Sequence, residues 1–80
     1  MDSFMFRSDV RRAVVEAIAG LPAGTVGIGA DCLWQLTATH IHSEHGPRGT
    51  NAAYYAREMF NEVIRGRPFS RFIIDNPDCV

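Results

Sequence analysis

The chain contains no lysine; all eight of its basic side chains are arginine. It has two cysteines, Cys32 and Cys79, too few for the disulfide framework that holds small secreted scaffolds together. No apolar run approaches the ~20 residues needed to span a bilayer. The amino terminus, MDSFMFRSDVRR, places acid before base around no long apolar centre and does not read as a secretory signal. These absences make a reducing cytoplasm the expected location. Repeats and low-complexity tracts are also missing. So are a serine elbow (GxSxG), a phosphate loop ending in lysine, a paired CxxC and an HExxH. Without these motifs, and with little volume for a substrate cleft in 80 residues, the chain is expected not to be an enzyme and to need no cofactor.

What is present is an ordinary globular composition: 46% hydrophobic and 21% charged residues, with a net charge of −1. Eighty residues make one domain, 1–80, with room for a single core. Such a core is marginal alone, so a homodimer contact or a partner would stabilise it. Near-neutrality argues against nonspecific polyanion binding, but the charge is uneven. Between His45 and Phe72 lie Arg48, Arg57, Arg65, Arg67 and Arg71 against Glu58 and Glu62.

The strongest pattern is Thr50–Gly66, TNAAYYAREMFNEVIRG. At the helical period, Ala52, Ala53, Ala56, Met59, Phe60, Val63 and Ile64 share one face with Tyr55 at its edge. Asn51, Tyr54, Arg57, Glu58, Asn61, Glu62 and Arg65 share the other. Thr50 or Asn51 caps the start, and Gly66 with Pro68 ends the helix. An earlier helix begins at Ser8, buries Val10, Val14, Ala17, Ile18 and Leu21, and closes at Gly20-Leu21-Pro22. Thr25–Gly29 reads as a short strand with two or three paired residues. A second helix is predicted over Ala30–Thr39, with Leu33, Leu36 and Cys32 inward and Trp34 covering a flank. His40–Gly49 reads as the main break, because Gly46-Pro47 and Gly49 are turn residues. Phe69–Asp75 (FSRFIID) reads as a strand ended by Asn76-Pro77.

The order helix, short strand, helix, turn, longer helix, strand resembles winged helix-turn-helix domains over residues 8–76. VVEAIAGLPAGTVGIGADCLWQL takes the place of the first helix, first strand and second helix. TNAAYYAREMFNEVIRG takes the place of the recognition helix, and PFSRFIIDN begins the wing. The fold class expected is therefore mainly α with a small β-sheet, three helices and two short strands. The wing would be truncated by the little chain that follows Asp75.

The resemblance implies a small transcriptional regulator, from a bacterium or its phage, binding double-stranded DNA. Asn51, Tyr54 and Arg57 would reach base edges, since Asn can bond adenine and Arg guanine in bidentate fashion. Arg48 and Thr50 would hold a phosphate at the helix start. Asn61 lies on the same face, and Arg65, Arg67 and Arg71 would contact backbone phosphates farther along. Glu58 and Glu62 on that face oppose a duplex. They favour the alternative, an interaction module or phage-encoded inhibitor whose exposed tyrosine, arginine and asparagine meet a host protein. His40, His42 and His45 with Cys32 have ligand chemistry but lack the paired spacing of a zinc site, and no metal is expected. Cys32 is expected as a small buried apolar residue.

Overall fold

A computed structural model describes residues 7–45 and 50–75, with side chains at 7–42 and 54–75. The elements are α1 (Arg7–Ala19), β1 (Ile28–Gly29), α2 (Ala30–His45), α3 (Thr50–Arg65), a 3-10 turn (Phe69–Arg71) and β2 (Ile73–Ile74). The chain is thus mainly α with one small sheet.

Helix α1 lies against both α2 and α3. Its buried stripe, Val10, Ala13, Val14 and Ala17, recurs at three and four residues, so one face points at both neighbours. Val10 and Val14 are fully buried. From α3, Ala56, Phe60, Val63 and Ile64 complete the same core, and Phe69 plugs its end. The helix starts at Arg7 and places Ser8 inside its first turn, a shift of the kind common at helix ends. Ala52, Ala53 and Leu21 were also expected inward; Leu21 is half-buried, and the side chains of Ala52 and Ala53 lie outside the described residues.

Helix α2 is longer than its local composition predicts. Its inward stripe is Ala30, Leu33, Thr37 and Ile41, with Trp34 alongside. Burial of Ile41 carries the helix through His40–His45, the segment expected to break, because tertiary packing overrides weak propensity. Leu36 falls off this stripe and is exposed, correcting the expectation that it faces inward. A threonine at the middle of the stripe disguises the four-residue spacing. The two threonines of α2 differ: Thr39 Oγ1 donates to the Gln35 carbonyl at 3.0 Å, whereas Thr37 Oγ1 is buried without a hydrogen-bond partner. A hydroxyl stripped of water and unpaired destabilises the fold. Thr37→Val, of nearly the same shape, should therefore raise stability by about 1 kcal/mol. In a domain of this size that shifts the melting temperature up by roughly 4–8 °C. A lower melting point would show that the hydroxyl has found a partner.

The connection after α1 turns at Pro22-Ala23-Gly24-Thr25, where Thr25 N–H and Oγ1–H both donate to the Pro22 carbonyl. Gly24 has φ of 88°, a left-handed conformation that glycine adopts without strain. β1 then pairs with β2 in parallel, Ile28 opposite Ile73 and Gly29 opposite Ile74, and Ile28 N–H donates to the Phe72 carbonyl at 2.9 Å. Gly27 permits this approach: a Cβ there would sit 2.5 Å from Ile74 Cγ2.

Phe69–Asp75 is not one strand. Phe69 is buried and anchors the 3-10 turn, closed by Phe72 N–H donating to the Phe69 carbonyl at 2.8 Å. Only Ile73 and Ile74 remain to pair. The Arg67–Pro68 peptide is cis.

Candidate functional site

Helix α3 carries the candidate site on the face opposite its core stripe. Among the residues expected there, Tyr54 is 62% exposed. Tyr55, expected at the edge of the apolar face, is 61% exposed. The two rings meet edge-on with centroids 5.6 Å apart, so neighbouring residues on the helix present one continuous aromatic surface. Glu58, just beyond, is also exposed.

Arg57 does something different. Its Nη2 donates to Asp31 Oδ1 at 2.9 Å and its Nε to Asn61 Oδ1 at 3.2 Å. The guanidinium also lies 5.5 Å from the centre of the Trp34 ring and 5.7 Å from that of Phe60. Those two rings pack together at 5.2 Å. Asp31 sits in the first turn of α2, where a carboxylate is favoured by the helix dipole. Arg57 therefore fastens α3 to the start of α2, and Asn61 is its hydrogen-bond acceptor. The sequence shows the Arg57–Asn61 spacing but not the Asp31 partner, 26 residues earlier.

Three other expected contacts, Arg65, Arg67 and Arg71, are exposed and have no ion-pair partner among the described residues. They belong to the far end of α3 and the turn that follows. Glu62 is occupied by an ion pair with Arg7 of α1. Arg48, and the side chains of Thr50, Asn51 and His45, lie outside the described residues.

The chain matches no family model, no curated protein and no solved structure. His40 Nδ1 lies 3.6 Å from Glu16 Oε1 on α1 and His42 is exposed. Among the described residues no group of three His, Cys, Asp or Glu side chains converges as a metal site. Cys32 is buried and disulfide-bonded. That corrects its reading as a plain apolar side chain; a sequence with two cysteines permits a single bridge but does not require it. Among the described residues no helix is long and apolar enough to cross a membrane.

Proposed function

We propose that this protein is an interaction module that engages a partner protein through the exposed Tyr54–Tyr55 surface of α3. The observation that carries this reading is the Tyr54–Tyr55 pair, both rings more than half in water and meeting edge to face. Tyrosine combines a large apolar face with a polar tip, which is why it is enriched where proteins meet. Adjacent Glu58 is unfavourable beside a phosphate backbone and acceptable beside a protein. Arg57, the side chain best placed in the sequence to read a guanine, would have to leave Asp31, Asn61 and the Trp34 ring to do so.

A DNA-binding regulator is the second reading, favoured by the exposed Arg65, Arg67 and Arg71, which have no described carboxylate partner. On that reading phosphate contacts dominate, and binding weakens steeply with salt.

Compartment enters through Cys32. A disulfide persists in oxidising surroundings and is rare in a reducing cytoplasm. The bond at Cys32 therefore favours an oxidising location over the cytoplasmic one expected from composition.

The test pairs capture from a nuclease-treated lysate of the source cell with low-salt anisotropy on duplex DNA. Tyr54→Ala with Tyr55→Ala should leave stability within about 0.5 kcal/mol, as exposed substitutions usually do, and abolish recovery of a stoichiometric partner. Arg57→Ala should instead lower stability by about 1 kcal/mol, since a half-exposed ion pair and a cation–π contact are each modest. Duplex binding that disappears in Arg65→Gln, Arg67→Gln and Arg71→Gln combined, with the tyrosines irrelevant, would replace the first reading by the second.

A further inference from the structure

A second surface lies between α1 and the 3-10 turn, away from the tyrosine pair in the sequence and independent of it. Arg11, Val15 and Ile18 from α1 and Pro68, Phe69 and Phe72 from the turn line a groove of about 320 Å³. Five of the six are apolar. Val15 is 48% exposed, an aliphatic side chain at a helix position where the sequence elsewhere places charge. The volume is at the small end of those that hold ligands and suits one or two bulky side chains.

One arginine lines this groove, and three more adjoin its lining residues in the chain. The Arg11 guanidinium lies over the Phe69 ring, 5.1 Å from its centre, leaving its outer edge in water. Arg67 precedes Pro68, and Arg71 stands between Phe69 and Phe72 in the chain; both are exposed. Arg12, one position along α1, is exposed as well. None of the four has an ion-pair partner among the described residues. Three carboxylates are engaged elsewhere: Asp31 holds Arg57, Glu62 holds Arg7, and Glu16 faces His40 across α1 and α2. Asp75, three residues past Phe72, is exposed.

We propose that this groove docks an acidic segment of a partner protein, in which one bulky apolar side chain is flanked by aspartate or glutamate. The apolar side chain enters between Val15 and Phe72, and the flanking carboxylates meet Arg11, Arg67 and Arg71. A phosphate backbone would satisfy the arginines but leave the apolar lining unused. A lipid surface is met by protruding apolar groups, whereas these line a concavity. Such charge-bordered apolar grooves take short peptides through apolar anchors at fixed spacing, with the charges setting partner choice and on-rate.

The experiment is fluorescence anisotropy on the full chain under non-reducing conditions. The probe is a peptide of about twelve residues, a single Phe anchor flanked by Glu and Asp. Three controls accompany it: the same peptide with Gln and Asn for Glu and Asp, a random-sequence DNA duplex, and vesicles containing phosphatidylserine. The acidic peptide should bind saturably at low salt, the neutral one about tenfold or more weakly, and rising salt should erode the difference. Val15→Ser should weaken binding at least tenfold, and Arg67→Gln with Arg71→Gln should bring the two peptides to similar affinity. Tyr54→Ala with Tyr55→Ala should leave this binding unchanged, which separates failure here from failure of the tyrosine face. Since the two arginines are exposed, their variant tests the proposal even where Val15→Ser melts early. No saturable binding of the acidic peptide, or equal affinity for the neutral one, would overturn the proposal. So would tighter binding of the duplex or the vesicles, or self-association of the chain that Val15→Ser abolishes.

Discussion

Phe60→Ala should leave most of the protein unfolded at room temperature. Phe60 is fully buried in the core that joins α1, α2 and α3. Its ring packs on Trp34 at 5.2 Å and lies beneath the Arg57 guanidinium. Truncation removes the transfer free energy of a benzyl group and leaves a cavity that the surrounding helices cannot fully collapse. The cost for a buried phenylalanine is about 3–5 kcal/mol. A domain of 80 residues has little more than that in reserve, since a single core of this size rarely supplies more than about 3–5 kcal/mol. Urea denaturation followed by circular dichroism should therefore show Phe60→Ala without a native baseline, while Phe60→Leu retains one. The double variant with Arg57→Ala should cost less than the sum of the two, because both changes remove the same contact. A loss below about 1 kcal/mol for Phe60→Ala would mean that the core is centred elsewhere.

Reduction of the disulfide is the second large effect expected. Cys32 is bonded through sulfur near the start of α2, beside the stripe that buries Leu33. The other cysteine in the sequence is Cys79, outside the described residues. A cross-link limits the conformations open to the unfolded chain, and removing one from a small domain typically costs about 2–4 kcal/mol. Adding dithiothreitol should accordingly lower the urea midpoint and the melting temperature together. Cys32→Ala without reductant should fall to a similar value, with a further small loss from the buried side chain it shortens. Cys32→Ala should then be insensitive to dithiothreitol. Unchanged melting on reduction would show that α2 is held by packing alone, and would remove the argument for an oxidising compartment.

The elements differ in how legible they were, and for identifiable reasons. α3 was readable because its apolar residues repeat at the helical period for four turns, and its observed bounds, Thr50–Arg65, differ from the expected ones by a single residue. α1 was readable in the same way. α2 reads as shorter than it is because Thr37, Thr39 and the histidines are indifferent helix formers, and the residue that sustains the helix, Ile41, shows its role only in the assembled core. Phe69 looked like the first residue of a strand; it is the plug of the core, and the chain has to turn to place it there. The candidate site divides similarly. Tyr54 was legible as an aromatic on a polar face. Tyr55 was less so, because a position at the border of two helix faces is buried or exposed according to what packs beside it.

The sequence by itself determined the mainly helical class, the two amphipathic helices that supply most of the core, and the surplus of arginine in the second half of the chain. These follow from local spacing, which the chain carries wherever it folds. Tertiary structure alone decided which arginines are spent and which remain. Arg57 is taken by Asp31 and Trp34 from another helix. Arg11 lines an apolar groove between α1 and the 3-10 turn, and Arg67 and Arg71, next to its lining residues in the chain, stay exposed. An ion pair depends on distance in space, which spacing in sequence does not specify once a turn intervenes.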